Sequence, residues 1–429
     1  MKNIIVIGAG ATGLMAARLL AKAGKQVIVL EARNRTGGRI HSIDDASFFK
    51  GAELGAEFVH GDLPVTLALL DEAGIGYSHA GAEMWHYKNG KLSADDVEVV
   101  GWGELMANLI KLRHDTSISN FLNEYFPEEK YEALKKSVLR FVAGYDTADP
   151  DKASAFALRE EWQNEDDGAQ HRVEGGYCRM INYLVDEIKS SGNKIYLNAP
   201  VKAIDWSGGL TKVITLTGDT YEAEKVLLAL PLGILQLSSE HNSHITFQPE
   251  IPAHYNALQQ IGFGAIIKIL LRFDEPFWEH ARGKDLSNMT FLLSEEKVPT
   301  WWTQAPQHEP VLTGWLGGGP AKAFEHASED ELFDMAIVSL SNIFDISIAE
   351  LKDKLIARYI VNWTADPYTR GSYAYDTVTS AQARSVLSFP VKKTLYFAGE
   401  YLYQGPSMGT VEAALTSGKK AAETILTDL

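Results

Sequence analysis

The sequence predicts an α/β protein built as two interleaved domains, one a wound parallel sheet and the other mixed α+β, and three observations carry that prediction. A β-branched apolar run, Asn3–Ile7, leads into the glycine pattern Gly8, Ala9, Gly10, Ala11, Thr12, Gly13 and then into strong helix formers. A buried-strand pattern of the same kind returns at residues 394–398, followed by a helix from Thr410. No repeat, low-complexity tract or free linker separates the two. One domain is therefore expected to gather residues 1–75, 176–235 and 390–429, and the other residues 76–175 and 236–389.

Asn3–Ile7 lacks polar alternation, so it reads as a parallel strand buried on both faces. Residues 14–23 form a helix that Gly24 closes, and Gln26–Leu30 is the next strand, ending in Glu31. In such a βαβ unit each glycine has a task. Gly8 permits the tight turn, Gly10 lets the backbone approach a pyrophosphate, and Gly13 lets the helix pack closely on the sheet. A pyrophosphate then meets free N–H groups at the positive end of the helix, and Glu31 is placed to accept hydrogen bonds from an adenosine ribose. The unit is Rossmann-like, and by itself it does not separate NAD from FAD.

Residues 75–174 read as helical, with an acidic cluster at Glu160, Glu161, Glu165, Asp166 and Asp167 that is expected to be a solvated loop. Glu174-Gly175-Gly176 resets the chain into an amphipathic helix through Ile188. Short strands are expected at 194–197, 201–206, 213–217 and 225–230, with Gly208-Gly209 and Gly218-Asp219 as turns. Beyond Pro231 the aromatics Phe273, Phe277, Trp278, Trp301, Trp302 and Trp315 suggest a second sheet facing an apolar cavity.

Composition narrows the function. One cysteine in 429 residues rules out a disulfide framework or a site needing several thiolates, and no metal is expected. A formal charge of -16 argues against nucleic acid as the partner and leaves small cationic or neutral molecules easier to accommodate. No apolar run approaches the roughly 18 residues a membrane helix needs. The N-terminus runs directly into the glycine loop without a signal-peptide pattern, so a cytoplasmic setting is expected.

Four further blocks and an extension of the glycine motif resemble the flavin-containing amine oxidases, and the resemblance spans the chain. The extension is Glu31-Ala32-Arg33-Asn34-Arg35-Thr36-Gly37-Gly38-Arg39. The blocks are Gly55-Ala56-Glu57-Phe58-Val59-His60-Gly61, where His-Gly is typical of the polyamine oxidase branch; Lys268 ahead of Pro276-Phe277-Trp278; Trp363, Asp366-Pro367 and Gly371-Ser372-Tyr373; and Phe397-Ala398-Gly399-Glu400 with Gly409-Thr410-Val411-Glu412.

The resemblance implies an FAD held by Gly8, Gly10, Ala11, Thr12, Gly13, Glu31, Ala32, Arg33, Gly38, Arg39, Gly55, Ala56, Glu57, Phe58, Val201, Trp363, Gly399, Glu400, Gly409, Thr410 and Val411. Within that set, Glu400 is implied to bind the ribityl hydroxyls, and the amides near Thr410 and Val411 to face the flavin pyrimidine, where the helix dipole favours the anion of the reduced ring. Lys268, Tyr373 and His60 are the implied catalytic residues: Lys268 contacting the flavin N5 through a water, Tyr373 forming an aromatic wall that guides a neutral amine, and His60 touching substrate. Lys268 also stands out without the resemblance, because its same-face neighbours Ile266 and Leu270 leave it on no solvated face.

Two positions depart from the family pattern. The wall opposite Tyr373 is usually aromatic and here is Pro406, and the cysteine that tethers flavin in monoamine oxidases is here Ser372, so the FAD is expected to be non-covalent. The expected reaction is hydride transfer from a secondary amine or polyamine to flavin, hydrolysis of the imine, and reoxidation by O2 giving H2O2. A desaturase-like or protoporphyrinogen oxidase-like dehydrogenase is the alternative, and an inactive flavin-fold binding module another; Lys268 and the His60-Gly61 pair favour the amine branch.

Overall fold

The computed structural model describes residues 3–81, 83–94, 100–164 and 170–429. Its first layer is a five-stranded, wholly parallel sheet in the order Lys194–Tyr196, Gln26–Leu30, Asn3–Ile7, Lys225–Leu228, Leu395–Phe397. Asn3–Ile7 is central because it is apolar on both faces. Ile4, Ile5 and Val6 are at most 1% exposed, and burying each such side chain stabilises the fold by about 1.5–3 kcal/mol. The helices Ala11–Lys22 and Cys178–Ser190 pack together on one face, and Val411–Thr427 closes over the first of them. That last contact is tight at Gly418, where a Cβ would lie 2.3 Å from the Thr12 carbonyl oxygen.

A seven-stranded mixed sheet forms the second layer, in the order Leu355–Asn362, Ile266–Phe273, Val311–Gly317, Thr300–Trp302, Phe291–Ser294, Met84–Lys88, Lys91–Ser93. Ile266–Phe273 is paired on both sides, so Lys268 lies in the middle of a sheet. Of the aromatics expected to face a cavity, Trp302 and Trp315 do so. Phe273, Phe277, Trp278 and Trp301 instead pack against the helix Glu329–Phe344 on the other side of the sheet.

The helical expectation for residues 75–174 holds in its middle and fails at both ends. Trp102–Lys111, Ile118–Tyr125, Glu132–Gly144 and Ala155–Asn164 are helices sharing a core around Phe121 and Val138. Tyr77–His79, Met84–Lys88, Lys91–Ser93 and Gln170–Val173 are strands. Asn89 and Gly90, both at positive φ (51° and 75°), make the tight turn between Met84–Lys88 and Lys91–Ser93. Asn-Gly is the turn signal that the helical reading overlooked. Gln170–Val173 pairs with both Phe58–His60 and Tyr77–His79, and that small sheet turns His60 to the space between the layers and Arg172 to Glu57.

Candidate active site

A cavity of about 1590 Å³ runs from the carboxyl ends of the parallel strands to the face of the mixed sheet. Every site residue expected from sequence lines it except Gly13. A Cβ on Gly13 would sit 2.0 Å from the Gly8 carbonyl oxygen, so this glycine serves the helix–sheet contact alone. Gly8 has φ +104°, and a Cβ there would lie 2.4 Å from the Ala229 carbonyl oxygen. Gly10 differs, since the nearest atom to a Cβ would be the Gly37 oxygen at 3.9 Å. The space beside it is open, and the helix Ala11–Lys22 begins there with no side chain capping its amides.

Acidic side chains frame this end of the cavity. Glu31 accepts hydrogen bonds from the amides of Ala9 (2.8 Å) and Arg33 (2.9 Å), which fixes its carboxylate at the cavity edge. Arg33 forks onto Asp366 at 3.0 and 2.5 Å, closing the cavity beside Ala32, Val201 and Trp363. Arg39 donates to the Ser372 carbonyl (2.7 Å) and to Glu400 Oε1 (2.5 Å). Glu400 Oε2 is buried and has no hydrogen-bond partner among the described residues. A buried acceptor left unpaired costs about 1–3 kcal/mol, and a hydroxylated ligand would satisfy it. Open amides at Gly10, a backbone cradle and an orphaned carboxylate oxygen fit a dinucleotide such as FAD. Thr410 caps Val411–Thr427, and both Thr410 and Val411 face the same space. Glu412, in the same block, instead accepts from the amides of Val65 (3.0 Å) and Thr66 (2.7 Å) and caps the helix Pro64–Glu72.

At the other end Lys268 is 1% exposed, and its ammonium donates to Glu57 Oε2 (2.6 Å) and the Gly55 carbonyl (3.0 Å). Glu57 Oε1 accepts from the Arg172 guanidinium and from the Trp302 indole at 3.0 Å. Burial alone would raise the Glu57 carboxyl; the Lys268 and Arg172 charges outweigh it and hold it at about 2. Phe58 lies beneath the Arg172 guanidinium, 4.4 Å from its centre.

His60 is half-buried, with Nδ1 2.6 Å from Gln170 Oε1, and loss of solvent around it pushes its imidazole below the ordinary value, so it is neutral near pH 7. Its ring meets Tyr145 edge-on at 6.2 Å. Tyr373 donates its hydroxyl to the Tyr145 carbonyl and lies over Gly409, where a Cβ would be 2.8 Å from the ring. Pro406 is exposed at the cavity rim. Ser372 is buried, with its hydroxyl 2.6 Å from that of Thr147.

Sequence reasoning missed Arg172, Tyr145 and the placement of Glu161. Arg172 and Tyr145 carry no local signal, because each acts through a partner more than 100 positions away. Glu161 corrects the expectation of a solvated acidic loop: although only partly covered, it faces the cavity and bonds Asp146, and burial pushes its carboxyl up to about 7. Glu160 is exposed as expected, and Glu165, Asp166 and Asp167 lie outside the described residues.

The family model of flavin containing amine oxidoreductases matches residues 11–107 and 91–426, and the chain belongs to that family. It is 28% identical to polyamine oxidase 4 of Oryza sativa subsp. japonica over 98% of this chain and 88% of that protein. It is also 28% identical to lysine-specific histone demethylase 1 homolog 3 of Arabidopsis thaliana, over 99% of this chain but 30% of that protein's length. Among solved structures, cyclohexylamine oxidase from Brevibacterium oxydans IH-35A aligns with a TM-score of 0.80 at 20% identity, over 99% of both chains. Putrescine oxidase bound to putrescine aligns with a TM-score of 0.78 at 22% identity, also over 99% of both. These two likenesses are likenesses of fold.

Proposed function

We propose that the chain is an FAD-dependent oxidase of secondary amines or polyamines, with FAD bound non-covalently and O2 as the acceptor. The observation that carries this reading is the single cavity that joins a dinucleotide cradle to a buried ammonium, Lys268, and an aromatic wall at Tyr373. The bound flavin supplies the acceptor for a hydride and hands two electrons to O2. In balance, the amine, O2 and water give a carbonyl compound, the shortened amine and H2O2.

The chain's residues prepare the amine and exclude competing reactions. An amine gives up hydride from its α-carbon when the nitrogen lone pair is free, so the ammonium must shed its proton on entering. The rings of Tyr373, Tyr145 and Phe58 make a wall that disfavours the charged form. Neutral His60, held by Gln170, is placed to take or pass that proton. Glu161 and Asp146 face the same cavity, which suits a substrate with a second nitrogen. At Ser372 the side chain offers only an engaged hydroxyl, in keeping with an untethered cofactor.

The test is an anaerobic screen that follows bleaching of the flavin absorbance with benzylamine, alkyl monoamines, N-substituted polyamines and a peptide bearing N-methyl-lysine, the last because a demethylase stands among the relatives. Fastest bleaching by secondary amines or polyamines supports the reading. Bleaching by a polyene or porphyrinogen and by no amine would overturn it.

A further inference from the structure

The amine oxidase reading uses Lys268 and leaves the groups packed around it without a task. Two cations, Lys268 and Arg172, converge on one carboxylate in a place closed to solvent; the side chains of Glu57, Lys268 and Arg172 are 5%, 1% and 8% exposed. Arg172 does not line the cavity. Its other N–H groups go to the carbonyls of Thr303 (2.8 Å) and Ala305 (2.9 Å), so it is fixed to the segment that follows Trp302. Arg172 and the Trp302 indole together occupy Glu57 Oε1, which leaves Oε2 for Lys268. An ammonium has three N–H groups. Glu57 and Gly55 take two, and the third is left for the cavity that Lys268 lines.

We propose that Glu57 is a positioning residue that keeps Lys268 a fixed ammonium with one N–H free for the cavity, and that Arg172 and Trp302 serve by holding Glu57. Lys268 then acts as a standing positive charge towards the flavin and not as a proton acceptor. The surplus charge of the trio, two cations to one anion, favours the step in which reduced flavin anion, O2 and one proton give oxidised flavin and H2O2. The inference rests on the flavin of the proposed function and is independent of which amine, if any, is the substrate.

The other groups around Lys268 leave Glu57 as the decisive one. Flanking strands place Trp315 and Val361 beside it, neither charged. Glu53 also senses Lys268; its carboxyl is pushed up to about 7 by burial and is bonded to the Ser42 hydroxyl and, at 2.6 Å, to the Tyr177 amide. Because Glu53 also responds to Glu57 and Lys268, every profile below is recorded in a Glu53→Gln background as well.

The experiment is carbon NMR of the protein labelled at lysine Cε, with the Lys268 signal assigned by its loss in Lys268→Met. In Glu57→Gln the lysine stays buried beside Arg172 without its anion, and its titration midpoint should lie at least about two pH units below that of the unaltered chain. Reoxidation by O2 of the photoreduced flavin, which needs no amine, should then fall about tenfold as pH rises through that lowered midpoint, because a fixed charge beside the reacting group is lost. Arg172→Met keeps the anion and removes a neighbouring cation, so the Lys268 midpoint should be no lower than that of the unaltered chain. Should Glu57→Gln not fold, Glu57→Gln/Arg172→Met removes one charge of each sign, and its Lys268 midpoint should lie below that of Arg172→Met. A Lys268 midpoint in Glu57→Gln equal to the unaltered one, or in the double variant equal to that of Arg172→Met, would overturn the proposal, and so would a reoxidation profile that ignores it. Failure of every amine to bleach the flavin would touch only the proposed function.

Discussion

Beside the glycine loop the cavity is shaped by backbone, and beside Lys268 by side chains. Gly8, Gly10 and Gly13 act by what they lack, within six consecutive residues, and the ligand they suit meets amides and carbonyls. Lys268, Glu57, Arg172 and Trp302 act through charge and indole N–H groups drawn from four separate segments. A backbone site tolerates almost no added atom but is indifferent to pH. A side-chain site keeps its shape when one member is trimmed, and changes its electrostatics instead.

The comparison breaks most visibly at Gly13→Val. Its branched side chain would have to enter the 2.0 Å gap to the Gly8 oxygen, and overpacking of this kind costs about 1–3 kcal/mol or more. The soluble protein should carry less than about a tenth of the usual flavin, as a misplacement so near the phosphates implies, read from the ratio of flavin to protein absorbance. Retention of full flavin would mean that the helix can slide away from the sheet.

Lys268→Met tests the opposite kind of site. Flavin should stay bound, and global stability should change little, because Glu57 keeps Arg172 and Trp302. Reoxidation by O2, measured by stopped flow, should slow by about 10²-fold, the scale set by removing one preorganised charged donor. An unchanged rate would return Lys268 to a structural role.

A third outcome concerns pH. Glu53 has a folded-state value of about 7 against an ordinary 4.5, so between these values the folded chain holds a proton that the unfolded chain has released. Stability should therefore decline as pH rises from about 4.5 to 7, by on the order of 3 kcal/mol for this group, and Glu53→Gln should flatten the decline. Urea unfolding at pH 5 and pH 8 measures it; equal slopes in both proteins would show that Glu53 ionises freely. Glu57 works in the other direction, stabilising above about 4.5 and losing that contribution as pH falls towards 2.

The smallest effect belongs to the rim. Pro406→Tyr should add a second ring opposite Tyr373 and shift flavin reduction towards slender primary amines by about threefold, the scale of a modest change in pocket contacts. A preference that does not move would place the amine away from Pro406.

What could be read from the sequence follows the same division. The βαβ unit was legible because its glycines, helix formers and Glu31 are neighbours in the chain. Lys268 was legible as a lysine in an apolar strand, and the structure puts that strand in the middle of a sheet. Arg172 was not legible, since nothing local in Gln170–Val173 tells that its guanidinium meets Glu57. Met84–Lys88 was half legible, since Asn89-Gly90 signals its turn to Lys91–Ser93, whereas its other partner, Phe291–Ser294, lies some two hundred positions on. Periodicity reports which face is buried, and it does not report what the face is buried against.

The order of strands in the parallel sheet has a consequence for how the protein is made. Asn3–Ile7 is made before the rest of its sheet, yet its neighbour Lys225–Leu228 is completed only by Leu395–Phe397, and the helix over Ala11–Lys22 comes later still. At about 5–20 residues per second, the glycine loop waits roughly 20–80 s before its sheet can close. During that interval Ile4, Ile5 and Val6 have no finished layer to enter, and the nascent chain needs protection from its neighbours on the polysome.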